Sequence, residues 1–296
     1  MVSSIHNGDD ADVFERWSAV LADVYIAWRT TNVQFAAGPA EGSPASRDDV
    51  VLAGLCRECD KPEGTGAGLD AVQMIDAAAQ HVLGLRVLVD SRTVALTVWP
   101  VARAIAEHVA HAAWLLEPGI APEARMARRW MARLAGAHRY RWMMAARKAT
   151  RAQQRGAKET REAIRQQLLL RFPGADTEWD DPAENPGWTI AGETYPTLGK
   201  QSRLIENLGV ESLAGVYDVL SLFAHPNPIT LAMLVERNSV GDHVEFTYRV
   251  DTDQWVSVVR GASRLLYAAA HAACGYFALD AGHLEAWYDR CESGEQ

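Results

Sequence analysis

Between Pro100 and the pair Pro118-Gly119 lies a run, Val101 to Leu116, that is nearly continuous in Val, Ala, Ile, Leu and Trp. Proline is tolerated in the first turn of a helix, where its missing N–H breaks no bond, and a Pro-Gly pair stops one. The run is therefore predicted to be a helix, and a helix that is apolar on every side has to be buried on every side. The rest of the chain must then supply enough amphipathic helices to enclose it. At 296 residues, 48% of them hydrophobic, the chain is long enough to do so.

Three residues interrupt this apolar helix at regular spacing. Arg103, Glu107 and His111 stand four residues apart, which holds them within about 80° of arc at 100° per residue. A second helix, ahead of Pro226, carries Tyr217, Ser221 and His225 at the same spacing among Val216, Val219, Leu220, Leu222 and Phe223. An unpaired arginine or glutamate inside a core costs several kcal/mol, about enough to unfold a marginal domain. The two stripes are therefore expected to face each other: an Arg103-Glu107 pair orienting His225 or His111, with Tyr217 and Ser221 completing the hydrogen bonds. Such a set offers an acid/base group, a fixed cation and two hydroxyls, which serve equally as a register-fixing polar layer or as a catalytic or binding pocket.

Helical periodicity accounts for most of what surrounds these stripes. Val13, Trp17, Val20, Leu21, Val24 and Trp28 mark a first amphipathic helix from Asp10, broken over Gly38 to Asp49. A short helix over Val50 to Cys59, a Gly-rich turn over Lys61 to Gly68 and a helix from Asp70 to Val89 follow. Pro122 opens a helix predicted to run to Gly156, with Lys158 to Phe172 continuing the pattern, and helical signal returns over Lys200 to Phe223 with a break at Gly209. Leu231 to Val235 and His243 to Val250 flank a Gly241-Asp242 turn signal and read as a hairpin. Thr252 to Leu279 and Gly282 to Cys291 close the chain as helices. The expected fold is all-α: a single helical domain over 1–296, a multi-helix bundle with a small β-hairpin near 231–250. Within it lie an N-terminal helical part (10–69) and a core bundle (70–280). Residues 173–198, with Trp179, Trp188, six acidic residues and no basic one, are predicted to be an ordered loop or lid over a hydrophobic ligand.

Charge is unevenly placed. The formal net charge is −9, which argues against a whole-surface affinity for nucleic acid, yet residues 121–156 hold ten Arg or Lys against Glu123 alone. That strip, with Arg129 and Arg133 as candidate contacts, is expected to track an RNA backbone or an anionic ligand, or to pair with the acidic loop or with a second subunit in a homodimer. No apolar run approaches the roughly 18 residues of a membrane span, and the opening MVSSIHNGDDADVFERW lacks the order of an export signal, so a cytoplasmic protein with no membrane partner is expected. Cys56 and Cys59 form one CxxC, for which His271, Cys274 or Cys291 would have to complete a zinc site. A Glu107/His111/His225 centre lacks the paired Glu-x-x-His elements of di-iron bundles, and neither a metal nor a cofactor is expected. Kinases and α/β-hydrolases are disfavoured by the absence of a Gly-rich phosphate loop and of a Gly-x-Ser-x-Gly elbow.

The elements R103-A-I-A-E107 and Y217-D-V-L-S221-L-F-A-H225, with their surroundings V-W-P-V-A-R-A-I-A-E-H and W-L-L-E-P, resemble an uncharacterised bacterial family of helical domains. The resemblance covers roughly residues 70 to 280. That family is similar in its helical make-up to the HEPN proteins, whose nuclease members use Arg-x(4-6)-His, and R103-A-I-A-E-H108 fits the expression. What the resemblance implies is an RNA-acting protein of stress or phage defence, cleaving without metal through Arg103 with His108 or His225. Two further readings stand beside it: a helical enzyme or binding protein for a small hydrophobic or anionic metabolite, and an interaction module with no chemistry.

Overall fold

The apolar run is the fourth helix of a bundle. The computed structural model describes residues 8–55, 62–92, 96–179, 185–197, 201–209, 215–225, 228–240, 243–248 and 252–293. Helices α1 (Gly8–Asn32), α2 (Pro44–Leu55), α3 (Glu63–Ser91), α4 (Val98–Leu116), α5 (Pro122–Ala146) and α6 (Arg151–Arg171) come first. Then follow α7 (Gln201–Glu206), α8 (Val216–Ala224), α9 (Pro228–Leu234), α10 (Thr252–Phe277) and α11 (Gly282–Ser293). Two antiparallel pairs complete the described residues: β1 (Thr189–Ile190) with β2 (Glu193–Thr194), and β3 (Val235–Val240) with β4 (His243–Tyr248). The all-α bundle is thus the architecture found.

α4 packs against α3, α10, α8 and α7, and its Ile105, Val109, Trp114 and Leu115 are buried. α1 and α2 feed the same core through Phe14, Leu21, Trp28, Ala45 and Leu52. α4 is not sealed all round, however. Val101, Ala104, His108 and His111 are only half-buried, and the two imidazoles keep part of their rings near water. No helix among the described residues is long and apolar enough to cross a membrane.

Several boundaries differ from the sequence pattern, each for a physical reason. The expected Gly-rich turn is the first part of α3, and Gly64, Gly66 and Gly68 are buried helical residues. A β-carbon on each would overlap, in turn, Asp48 of α2, the Arg129 guanidinium of α5 and the Phe277 ring of α10. Their missing side chains therefore serve close approach and not a turn, and helix propensity is given up for packing. α2 starts at Pro44 and not near Val50, with proline at its first position. α5 stops at Ala146, short of Gly156, and α6 restarts at Arg151 behind a capping box in which Thr150 and Gln153 satisfy each other's backbone N–H groups. In the 231–250 hairpin, residues 231–234 are the end of α9, and the first strand begins at Val235. Val240 pairs with His243, which leaves a two-residue connection; Gly241 and Asp242 themselves lie outside the described residues, as do Cys56 and Cys59.

A half-open polar cluster between α4 and α8

The two stripes converge. Arg103 Nε donates to Glu107 Oε1 at 2.9 Å along α4, the i,i+4 geometry that the spacing required. Its Nη1 reaches across to His225 Nε2 at 2.5 Å, and its Nη2 donates to the Tyr217 hydroxyl at 3.3 Å. Tyr217 in turn donates to Glu107 Oε1 at 3.4 Å, so cation, carboxylate and phenol form a closed ring of contacts. Burial pushes the Tyr217 phenol above its ordinary range, and Glu107 adds to the rise while Arg103 opposes it. Its proton stays on at neutral pH, which makes it a donor and not a base.

Local sequence explains how His225 gets there. The residue before a proline is driven to extended backbone, and His225, followed by Pro226, ends α8 at φ −93 and ψ 146. The side chain leaves the helix line at that point and meets Arg103. Since a guanidinium can only donate, Nε2 of His225 is the acceptor and the ring proton resides on Nδ1. Arg103 is 17% exposed and Glu107 35% exposed, whereas His225 is open to solvent. The cluster is therefore a half-open site at the bundle's side and not the buried pocket that the sequence suggested. Ser221 gives its carbonyl to the His225 amide at 3.3 Å, and its hydroxyl takes no part in the ring of contacts. A largely apolar groove of about 520 Å³ is lined by Trp99 of α4, by Val219, Leu220 and Phe223 of α8 and by Asp253 and Val258 of α10, with Trp99 stacked on Phe223 at 4.2 Å.

The other two histidines of α4 belong elsewhere. His108 Nδ1 bonds to the Ala104 carbonyl at 2.7 Å, and its ring lies 5.2 Å from that of His81 on α3, a residue the sequence did not single out. Arg103 and His108 thus face different neighbours, as their angular separation on a helix demands, and do not form a working pair. His111 bonds to the Glu107 carbonyl at 3.0 Å; burial lowers its basicity, and the nearby Arg139 and His108 lower it further.

The basic stretch that begins with α5 and continues into α6 divides into two parts. Arg125 bonds Asp48 at 2.9 Å, Arg128 bonds Glu117 and Glu193 at 2.5 and 2.7 Å, and Arg129 bonds Glu63 and Asp70 at 2.6 and 3.1 Å. Arg133 holds Asp70 with two bonds of 2.6 Å. Glu63, only 3% exposed, also receives Arg171 at 2.5 Å and the Trp130 indole at 3.0 Å. Arg129 and Arg133, expected to contact phosphate, are instead the partners of carboxylates on α3: buried Arg129 needs a counter-charge of its own, and the more exposed Arg133 shares Asp70 with it. Five exposed cations past this network, Arg147, Lys148, Arg151, Arg155 and Lys158, have no acidic partner among the described residues.

Trp179 and Trp188 are also not where a lid would put them. Both are buried, packed with Trp142 and Tyr195 around His138, and the Trp188 indole donates to the Glu178 carbonyl at 2.9 Å. Arg165 binds Thr177 and Glu178 and pins the loop to α6. His138 accepts from Arg161 at 3.1 Å; burial first, then Arg161, Arg141 and Arg165, hold it down to about 4. Among the described residues no group of three His, Cys, Asp or Glu could hold a metal ion, and burial pushes the Cys274 thiol up to about 12. Comparison with protein-family models, curated proteins and solved structures finds no match to this chain.

Proposed function

We propose that the Arg103, Glu107, Tyr217 and His225 cluster cleaves single-stranded RNA by transesterification, using the 2′-hydroxyl of the substrate as nucleophile. The observation that carries this reading is the hydrogen bond from Arg103 to the Nε2 lone pair of His225 at the open edge of the cluster. A phosphodiester is the natural competitor for that guanidinium, which can grip two phosphoryl oxygens at once. When phosphate takes Arg103, the lone pair of His225 is released beside the ribose and accepts the 2′-hydroxyl proton. The 2′-oxygen attacks phosphorus, the bond to the 5′-oxygen breaks, and that oxygen takes a proton from solvent. The products are a 2′,3′-cyclic phosphate and a 5′-hydroxyl. Arg103 stabilises the charge that builds on the phosphoryl oxygens, while Glu107 and Tyr217 hold its plane in position. The nucleophile comes from the substrate, so the route calls for no metal.

The test is incubation of the full chain with end-labelled single-stranded RNA in chelator. Cyclic-phosphate products, their absence with 2′-O-methyl RNA, and their loss in His225→Ala and Arg103→Lys are expected. Intact RNA after prolonged incubation with folded protein, or undiminished cleavage by His225→Ala, removes the reading. The groove at Trp99 and Phe223 favours a second one, in which the cluster binds the anionic end of a small apolar metabolite; that ligand would protect against thermal unfolding where RNA gives no protection.

A further inference from the structure

We infer that the hairpin tip joining α5 and α6, residues 139–158, is the surface that holds the RNA backbone; this rests on the RNA-cleaving reading above for its partner. These twenty residues contain Arg139, Arg141, Arg147, Lys148, Arg151, Arg155 and Lys158 and no acidic residue. The whole chain has a formal charge of −9 although this segment carries +7, so the remainder stands at −16. A polyanion is repelled by most of the molecule and drawn to this one end.

The arrangement of the cations is specific. On α6, Arg151, Arg155 and Lys158 follow one another at four and three residues, which places them within about 60° of arc in a single exposed row. Arg147 and Lys148 extend that row over the turn, where Lys148 adopts φ 51. Like charges three and four apart repel, and cations in the first turn of a helix oppose its dipole. The row therefore works against the stability of its own hairpin, and a bound polyanion relieves it. The paired arginines 125, 128, 129 and 133 lie in the same basic stretch of sequence, on α5, yet are spent internally, so the contrast is not a matter of composition.

Arg139, exposed at the inner end of the tip, lies over the Trp179 and Tyr195 rings at 5.7 and 6.0 Å, which fixes that end to the body of the bundle. From Arg139 to the end of α5 the distance is about 10 Å at 1.5 Å per residue, a span of two or three extended nucleotides. Exposed Tyr140 and Met143 lie between the cations and give bases something to rest on. Arginines outnumber lysines five to two in the segment, which suits bidentate phosphate contact.

The experiment measures binding of a fluorescent 20-nucleotide 2′-O-methyl RNA, which cannot be cleaved, across a salt series. Releasing counterions from about five phosphates predicts a log–log slope near −3.5, or about 100-fold weaker binding between 50 and 200 mM salt. The variant Arg151→Glu/Arg155→Glu/Lys158→Glu should bind at least tenfold more weakly at 100 mM salt, and the corresponding Gln triple should flatten the slope by about 2. Cleavage of a dinucleotide, too short to reach the tip, should be unchanged in both. Wild-type affinity in the Glu triple overturns the inference. So does tighter binding to phosphatidylserine vesicles than to RNA, with RNA unable to compete. A dinucleotide left uncleaved by the wild-type protein that still binds the 20-mer through the tip sinks the catalytic reading and leaves the binding surface standing.

Discussion

The α4–α8 cluster and the network at the start of α5 use the same chemistry, arginine against carboxylate with an aromatic donor alongside, and they differ in closure. In the network, Glu63 is 3% exposed and meets Arg129, Arg171 and Trp130, and Arg125 and Arg128 find backbone carbonyls of the α4 C-terminus as well as acids. Almost every donor is used, and there is no place for a ligand. In the cluster, Arg103 is satisfied by Glu107, Tyr217 and the His225 imidazole, and that last partner stands in solvent. A sealed ion pair fixes how helices sit, whereas a half-open one with a displaceable partner can exchange it for a substrate.

The largest effect that separates the two belongs to the network. Glu63→Gln takes the carboxylate from buried Arg171 and leaves Arg129 with Asp70, and it is expected to lower stability by about 3 kcal/mol, in the range for removing one partner of a buried pair. Glu107→Gln, at an i,i+4 pair that is about a third exposed, should move it by less than about 1 kcal/mol. Urea unfolding of both variants side by side checks the comparison, and equal losses would collapse it.

Next in size is His225→Ala. A positioned general base is worth about 100-fold or more in rate, so RNA cleavage should fall by at least that factor. The exposed ring contributes little to packing, and the urea midpoint should stay within error. A matching loss of stability would assign His225 to the scaffold.

A third measurement uses His138, buried among Trp142, Trp179 and Trp188 and held down to about 4. The unfolded chain takes up this proton below about 6.5 while the native protein does not, so the unfolded state binds more protons between 6.5 and 4. Stability is then full above the unfolded value and declines as pH falls, by about 2 kcal/mol from pH 7 to pH 5. His138→Gln should flatten most of that slope in urea titrations at the two pH values. A slope that persists unchanged would show that the loop's seat on α5 and α6 does not depend on a neutral imidazole.

What could be read from sequence was whatever repeats at short range. Four-residue spacing placed Arg103 over Glu107, and Pro226 explains why His225 swings away from α8, although the spacing alone treated it as one more helical position. The partners of α5 were beyond reach because Asp48, Glu63 and Asp70 come from 77, 66 and 59 residues away, and one sequence carries no record of such pairs. Gly64, Gly66 and Gly68 misled for a related reason. Glycine signals a turn by default, and only the Arg129 guanidinium and the Phe277 ring, both distant in sequence, show that space was what these positions had to provide. Thr150 and Gln153 were readable as a capping box and were overrun by the continuing helical pattern around them. Trp179 and Trp188 pack against each other and against the protein's own core, and loop aromatics close over a ligand or over their own protein with the same composition.

The smallest effect is the sharpest on closure itself. Tyr217 is buried, yet its hydroxyl makes only long bonds, 3.3 Å from Arg103 and 3.4 Å to Glu107. Tyr217→Phe keeps the ring in the core and removes one oxygen. If water reaches the cluster from the His225 side, it replaces that oxygen as acceptor for Arg103, and the change costs about 0.5 kcal/mol or less. If the cluster were sealed like the Glu63 network, the stranded guanidinium nitrogen would cost about 1 to 3 kcal/mol. The urea midpoint of this single variant therefore measures how wet the site is. A cost near the upper figure would place the cluster with the structural pairs and take away the opening through which a phosphodiester has to enter.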